Sequence, residues 1–126
     1  MVHGHLEEKF HASLSDSRHI IDADLSKELG GEDKGMNPHE LLEAALVGCT
    51  LQTMQMYAKR KGWDIGMTKV GVKFISEGKE VVIGRTLAFD PHLNGEQRDK
   101  LTEIANKCPI HKVLHAPTTV QTEVVG

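Results

Sequence analysis

Alternating apolar and polar positions predict strands in two parts of the chain. Near the start, residues 10–14 and 19–25 alternate on either side of a turn-like Ser-Asp-Ser sequence. Residues 70–74 and 81–89 repeat the arrangement around a second polar turn. A period of two places every other side chain on the same face, so each pair is predicted to form a β-hairpin. Residues 28–35 are polar, contain glycine and have no period, which predicts a loop.

A long helix over residues 38–61 is the clearest prediction. Asn37 occupies the N-cap and Pro38 the first helical position, where the amide groups of a helix start have no partner within the helix. Three cations at residues 59–61 complement the dipole at the far end, and Gly62 can take the left-handed conformation that ends a helix. A helix of this length measures about 36 Å, which is long for a chain of this size.

Apolar side chains are spread around most of this helix rather than along one face. Such a helix has to be enclosed, and a chain of 126 residues has few other elements with which to enclose it. We therefore predict that a second copy of the chain supplies part of the wall, as in an obligate homodimer. The alternative is that the chain's own strands are enough to enclose the helix.

Two shorter helices and a final strand are predicted after the second hairpin. Asn94 and Gln97 have the spacing of a capping box at the start of the first helix. Cys108-Pro109 breaks that helix and starts a short second one. Residues 118–125 are rich in Thr and Val, which predicts a closing strand. The element order is then β-β-α-β-β-α-α-β, and the fold class is α+β with antiparallel sheets packed on helices.

Length, charge and hydropathy exclude several classes of protein. The chain of 126 residues has the size of one domain, here residues 1–126. Its net charge is −3 and its cations form no long run, which excludes the basic footprint of a nucleic-acid binder. The longest apolar run, residues 44–47, is far below the roughly 20 residues that span a membrane. The N-terminus lacks the features of a signal peptide, so we expect a cytoplasmic protein without nucleic-acid or membrane partners.

Two cysteines are the main candidates for chemistry. Cytoplasmic thiols are kept reduced, so Cys49 and Cys108 are either inert core residues or redox-active groups. Cys49 lies about three turns into the long helix, beyond the reach of its dipole, and needs a nearby cation to become acidic. Cys108 caps a helix start, which predicts that it is the more acidic thiol. Arg18 at a strand start and Arg85 on an apolar strand face are the candidate cations.

A metal site is an alternative for some of these residues. Cys108, His111 and His115 have the spacing i, i+3 and i+7, which lines one face of a helix, and Cys49 offers a fourth donor. However, zinc sites more often use paired short spacings from two segments, and Pro117 would end the helix just past His115. Our prediction therefore includes no metal and no cofactor.

Two segments carry recognisable motifs. Residues 35–49 begin with Gly-Met-Asn-Pro and end with Cys49, and residues 108–114 begin with Cys-Pro-Ile-His. Together they resemble the OsmC/Ohr family of osmotically induced and organic-hydroperoxide-resistance proteins. The first segment is similar to the family's G-x-N-P-E-x-L helix that leads to a reactive cysteine, and the second to its C-P-x-S or C-P-x-H helix start.

The resemblance implies a fold, an assembly and a reaction. It implies the OsmC-like fold, in which antiparallel sheets wrap a long central helix in an intertwined homodimer with active sites at the subunit interface. It also implies a cofactor-free peroxidase in which Cys49 attacks an organic hydroperoxide and becomes a sulfenic acid. Cys108 then condenses with that sulfenic acid to a disulfide, which a dithiol reductant reopens. Arg18 is the nearest match to the arginine that stabilises the family's thiolate.

One position departs from the family pattern. The peroxidases carry a Glu ten residues before the reactive cysteine, whereas this chain has His39 there. The adjacent Glu40 projects about 100° around the helix, so we do not assume that it replaces the family's carboxylate. This departure leaves an alternative, in which the protein is a non-catalytic stress or binding protein of the same fold with structural cysteines.

Overall fold

The computed structural model describes residues 1–126. The chain forms two compact units, each with most of its contacts within itself. The first unit is Met1–Ala44 and the second is Ala45–Gly126. Helix α1, Pro38–Lys61, begins in the first unit and continues into the second. Every strand pairing within the sheets is antiparallel, which confirms the predicted α+β class. The single domain over residues 1–126 stays a prediction.

The first unit contains a three-stranded sheet. Its strands are β1 His3–Leu6, β2 Ala12–Ser15 and β3 Ile20–Ala23, in the order β1-β2-β3. The hairpin predicted at the start of the chain is confirmed in β2 and β3. Strand β1 lies outside that prediction because all four of its residues are exposed, so burial imposes no alternation on its sequence.

The buried carboxylate of Asp24 organises the loop between β3 and α1. It accepts hydrogen bonds from the backbone N–H groups of Leu25 at 2.7 Å, Glu32 at 3.2 Å and Lys34 at 3.1 Å. Burial raises the pKa of Asp24, but the hydrogen bonds together lower it by more than burial raises it. The pKa of Asp24 therefore lies below its ordinary value. Gly31 is packed against the same loop, since a Cβ there would collide with the carbonyl oxygen of Leu25. The loop is therefore fixed from inside.

Both predicted ends of α1 are confirmed. The side chain of Asn37 accepts from the backbone of Glu40 at 2.8 Å, and the Glu40 carboxylate accepts from the backbone of Asn37 at 3.1 Å. Gly62 follows the helix with φ of +72°. The residues of α1 that are buried form one stripe at a spacing of four, namely Leu46, Thr50, Met54 and Ala58.

Other faces of α1 remain uncovered in the single chain. The side chains of Leu42 and Met56 are 51% and 64% exposed. These side chains are the ones that the predicted second copy would cover, and enclosure by the chain's own strands alone stays the alternative prediction. The dimer itself stays a prediction.

The second unit adds a hairpin and two helices to α1. The strands are β4 Lys69–Ser76 and β5 Val82–Ala88, and the helices are α2 Gly95–Ala105 and α3 Pro109–His115. Asn94 and Gln97 form the predicted capping box at the start of α2. The buried core of this unit consists of Met54, Ala58, Leu93, Leu101 and Ala105.

The closing strand predicted over residues 118–125 is wrong. This segment has no regular secondary structure, and Val120 and Val124 are 85% and 93% exposed. The strand preference of Thr and Val reflects packing on a sheet surface beside a partner strand. No strand of this chain pairs with the segment, so its composition alone does not produce a strand.

Candidate active site

The second unit brings the two cysteines together. Cys49 lies in the middle of α1, and Cys108 directly precedes α3. Their side chains interact, since each shifts the pKa of the other, and both thiols are free. Cys108 is fully buried, whereas Cys49 is partly exposed. The pair thus consists of one thiol that solvent can reach and one that it cannot.

Local sequence fixes the position of Cys108. Pro109 occupies the first position of α3, and the Cys108 sulfur accepts a hydrogen bond from the backbone N–H of His111 at 3.4 Å. The Cys108 carbonyl accepts from the backbone N–H of Lys112 at 3.2 Å. The predicted N-cap role of Cys108 is therefore confirmed.

The surroundings of the two sulfurs favour a thiolate on Cys49. Burial raises the pKa of Cys49, but hydrogen bonds from the Cys108 thiol, the backbone N–H of Ile110 and the Thr53 hydroxyl lower it below its ordinary value. The Thr53 oxygen lies 3.9 Å from the Cys49 sulfur, one helical turn further along α1. These donors supply the stabilisation that we had expected from a cation.

Cys108 shows the opposite shift. Burial is the largest cause that raises the pKa of Cys108, and its hydrogen bond to Cys49 raises it further. The hydrogen bonds from the backbone N–H groups of His111 and Ile110 lower the pKa of Cys108 but do not outweigh these effects. The prediction that Cys108 is the more acidic thiol is therefore wrong, because burial and the neighbouring thiol outweigh the helix start.

Arg85 is the predicted cation that the structure places near the cysteines. It projects from β5, and its Nη1 atom donates to the hydroxyl of Thr50 at 3.2 Å and to the carbonyl of Ala105 at 3.3 Å. Its Nη2 atom donates to the side-chain oxygen of Asn106 at 2.6 Å. Arg85 thus contacts the residue after Cys49 and the chain segment just before Cys108.

Arg18 belongs to the first unit, where it lies exposed in the turn between β2 and β3. The carboxylate of Asp16 shapes this turn by accepting hydrogen bonds from the backbone N–H groups of Arg18 at 2.9 Å and His19 at 2.6 Å. The stabilisation of the thiolate by Arg18 stays a prediction. His39 lies in the first turn of α1, also in the first unit.

A cavity of about 180 Å³ lies close to both cysteines. Two of the residues that line it are Leu46, about one helical turn before Cys49, and His111, about one turn after Cys108. The rings of His111 and His115 stack there with centroids 5.1 Å apart. Burial, Arg85 and His115 together lower the pKa of His111. The cavity is lined by four apolar and three polar side chains: Leu46, Val81, Ile83, Leu114, Arg85, His111 and His115.

The Cys/His metal alternative has no ligand set in the structure. No group of three or more His, Cys, Asp or Glu side chains is arranged to hold a metal ion. The Cys108 sulfur instead faces the Cys49 thiol and the backbone N–H of His111. The two histidines line the cavity described above. Separately, none of the helices combines the length and apolar character that crossing a membrane requires.

Sequence reasoning missed two of the donors to the Cys49 sulfur. Thr53 is four residues after Cys49, so the ordinary i, i+4 contact on a helix surface could have identified it. The backbone of Ile110 could not be identified in this way, because its approach to Cys49 depends on the packing of α3 against α1.

Comparison with known proteins defines the family. A model of the family described as OsmC-like protein matches residues 31–123, most of the chain. The protein therefore belongs to the OsmC-like family. A search of curated proteins found no match.

Solved structures support the same fold at low sequence identity. The chain is similar to an OsmC like protein from Mycoplasma pneumoniae, with a TM-score of 0.76 and 18% identity over 91% of this chain and 86% of that one. It is also similar to the organic hydroperoxide resistance protein OhrB of Bacillus subtilis, with a TM-score of 0.63 and 22% identity over 90% and 87% of the two chains. A third similar structure is an organic hydroperoxide resistance protein from Elizabethkingia anophelis, with a TM-score of 0.62 and 20% identity over 89% of this chain and 84% of that one.

Proposed function

We propose that this protein is a thiol-dependent peroxidase that reduces organic hydroperoxides through Cys49 and Cys108. The observation that carries the proposal is the pair of free thiols whose side chains interact, with the pKa of Cys49 lowered and the pKa of Cys108 raised. A nucleophilic thiolate is needed at one sulfur and a protonated, adjacent thiol at the other. The names of the organic hydroperoxide resistance proteins that share the fold support the substrate class.

The first step oxidises Cys49. Its thiolate attacks the terminal oxygen of the hydroperoxide, an S–O bond forms and the O–O bond breaks. The alkoxide leaves and takes a proton to become an alcohol. Cys49 is left as a sulfenic acid, so the sulfur has lost two electrons and the peroxide has gained them. The partial exposure of Cys49 supports this role, because the peroxide has to reach the sulfur.

The second step forms the disulfide. Cys108 loses its proton and attacks the sulfenic sulfur, an S–S bond forms and hydroxide leaves as water. Burial of Cys108 protects it from direct oxidation, and its contact with Cys49 keeps it available. A dithiol reductant then exchanges with the disulfide and returns two electrons and two protons. This cycle uses no cofactor and belongs in the cytoplasm, where dithiols are kept reduced.

A homodimer is part of the proposal. The exposed apolar side chains on α1 and on both sheets support it, because a monomer would leave them in water. Sedimentation equilibrium at micromolar concentration is expected to give twice the 13.9 kDa mass of the chain. A mass of one chain under these conditions would contradict the dimer and leave the thiol chemistry untouched.

The peroxidase is tested by oxidising the reduced protein with cumene hydroperoxide and counting free thiols. We expect the wild-type chain to lose both thiols and to gain an intramolecular Cys49–Cys108 disulfide, identified by peptide mass spectrometry. The Cys108→Ser variant should lose its single thiol and become reactive towards dimedone, which traps sulfenic acid. The Cys49→Ser variant is the matched control and should keep its thiol. Oxidation of that control as fast as the wild type would contradict the proposal.

A further inference from the structure

Arg85 connects the parts of the chain that carry the two cysteines. Both protons of its Nη1 atom are used, one on the Thr50 hydroxyl of α1 and the other on the Ala105 carbonyl at the end of α2. Thr50 and Ala105 are both fully buried. Because Thr50 follows Cys49 directly, the guanidinium holds α1 at the position of the nucleophile.

The same side chain also fixes the approach to Cys108. The Ala105 carbonyl that accepts from Arg85 accepts from the backbone N–H of Cys108 as well, at 3.3 Å. Asn106, two residues before Cys108, accepts the shortest Arg85 hydrogen bond, at 2.6 Å. The rigid fork of an arginine holds several acceptors in one arrangement, which a flexible lysine does not. Arg85 therefore binds directly to residues close to both cysteines.

All the acceptors of Arg85 are neutral oxygens, so its hydrogen bonds determine geometry rather than neutralise a carboxylate. We infer that Arg85 is a positioning residue that holds Cys49 and Cys108 in the arrangement from which their disulfide forms. Two cysteines bond without strain only when their Cβ atoms lie about 3.5–4.5 Å apart with the S–S dihedral near 90°. A displacement of about 1 Å can slow a reaction between positioned groups about a hundredfold.

This inference rests on the proposed function, in which the two cysteines form a disulfide, but it does not require a peroxide. Diamide provides the separate test. The Cys49 thiolate adds to its azo nitrogen, and Cys108 then attacks the Cys49 sulfur and displaces the reduced hydrazine. The disulfide has lost two electrons and two protons, and the azo bond has gained them. The rate of the second step reports how well the thiols are placed.

Arg85→Met is the test variant, and Arg98→Met is the matched control. Arg98 is also a half-buried arginine of the second unit that donates to three oxygens, the carbonyls of Leu93, Asp90 and Pro91. Its loss removes as many hydrogen bonds without touching the neighbours of either cysteine. We expect Arg85→Met to form the disulfide with diamide at least about tenfold more slowly than the wild type, and Arg98→Met to match the wild type.

A second measurement separates positioning from general loosening of the fold. The equilibrium constant of the Cys49–Cys108 disulfide in a glutathione redox buffer measures the effective concentration of one thiol at the other. We expect it to fall about tenfold in Arg85→Met and to be partly restored in Arg85→Lys, which keeps the charge and some of the hydrogen bonds. If Arg85→Met does not fold, Asn106→Ala removes the shortest hydrogen bond alone and should give a smaller decrease.

Each outcome decides between the possibilities. Equal rates and equal equilibrium constants for wild type and Arg85→Met would overturn the inference, and so would an equal loss in Arg98→Met. A wild-type protein that forms no Cys49–Cys108 disulfide with diamide would also overturn it. If diamide forms the disulfide but cumene hydroperoxide does not, the peroxidase proposal fails and the positioning role of Arg85 is still decided by the variants.

Discussion

Replacing Cys108 should change the acidity of Cys49 in a way that depends on the replacement. The Cys108 thiol donates to the Cys49 sulfur and lowers the pKa of Cys49. Cys108→Ala removes this donor. Cys108→Ser keeps a donor at the same position, because a hydroxyl also donates a hydrogen bond. We therefore expect the pKa of Cys49 to be higher in the alanine variant than in the serine variant.

The size of the effect follows from the strength of one hydrogen bond to a charged acceptor. Such bonds contribute about 1.5–3 kcal/mol, and the lower end of the range applies because the serine hydroxyl reaches less far towards Cys49 than the cysteine sulfur does. A free energy of about 1.4 kcal/mol corresponds to a factor of ten in the thiolate population well below the pKa. Two donors to Cys49 remain in either variant, namely the Ile110 backbone and the Thr53 hydroxyl. The less acidic thiolate is also about threefold more nucleophilic for one unit of pKa, which offsets part of this factor. We expect Cys49 of Cys108→Ala to react about threefold more slowly at neutral pH than Cys49 of Cys108→Ser.

The assay is alkylation by iodoacetamide as a function of pH, because this reagent reacts with the thiolate. Each variant has only one thiol, so the loss of thiol reports Cys49 alone. Above the pKa of both variants the advantage of the serine variant should disappear, because the less acidic thiolate of the alanine variant is the more nucleophilic one. Coincident pH profiles for the two variants would refute the claim that the Cys108 contact makes Cys49 acidic.

Three further predictions follow from other parts of the chain. His39→Glu restores the glutamate that the peroxidases carry ten residues before the reactive cysteine, and it should speed the reduction of cumene hydroperoxide. An unchanged rate would show that another residue already takes the role of that glutamate. Hydrogen bonds from His92 to the Asp90 carboxylate and the Asp64 carbonyl raise the pKa of His92 above its ordinary value of 6.5. The contribution of these bonds to stability is therefore complete below pH 6.5, and it is lost as the pH rises through the pKa of His92 in the folded protein. The urea midpoint of the wild type should therefore fall more between pH 6 and pH 9 than that of His92→Phe, and parallel curves would contradict this. Gly31→Ala places a Cβ against the Leu25 carbonyl and should lower the free energy of unfolding in urea by at least about 1 kcal/mol, whereas Gly95→Ala, where a Cβ meets nothing within 4 Å, should not.

The elements that sequence reasoning located correctly are those whose ends are fixed by local contacts. Asn37 and Gly62 determine where α1 begins and ends, and Asn94 and Cys108 cap α2 and α3. These contacts span three or four residues, so the information lies within a short stretch of sequence. The two hairpins were accessible for the same reason, because alternation is visible within each strand.

The segments that sequence reasoning missed or misassigned depend on neighbours that are distant in the chain. Strand β1 is exposed on every residue and is defined only by its pairing with β2. Residues 118–125 have the composition of a strand but no partner in this chain. Strand formation requires a ladder as well as a suitable sequence, and the ladder is a tertiary property.

The acidity of the cysteines shows the same limit at the candidate site. The N-cap position of Cys108 is a local feature, and it correctly predicts that a backbone N–H approaches the sulfur. What determines the order of the two pKa values is the burial of Cys108 and its contact with Cys49, which arise only when α1 packs against the start of α3. A thiol at a helix start is acidic when solvent or a cation can stabilise its charge, and Cys108 is fully buried. The same burial that keeps Cys108 protonated makes it a donor to Cys49, so the nucleophile owes part of its acidity to the residue that is proposed to capture it.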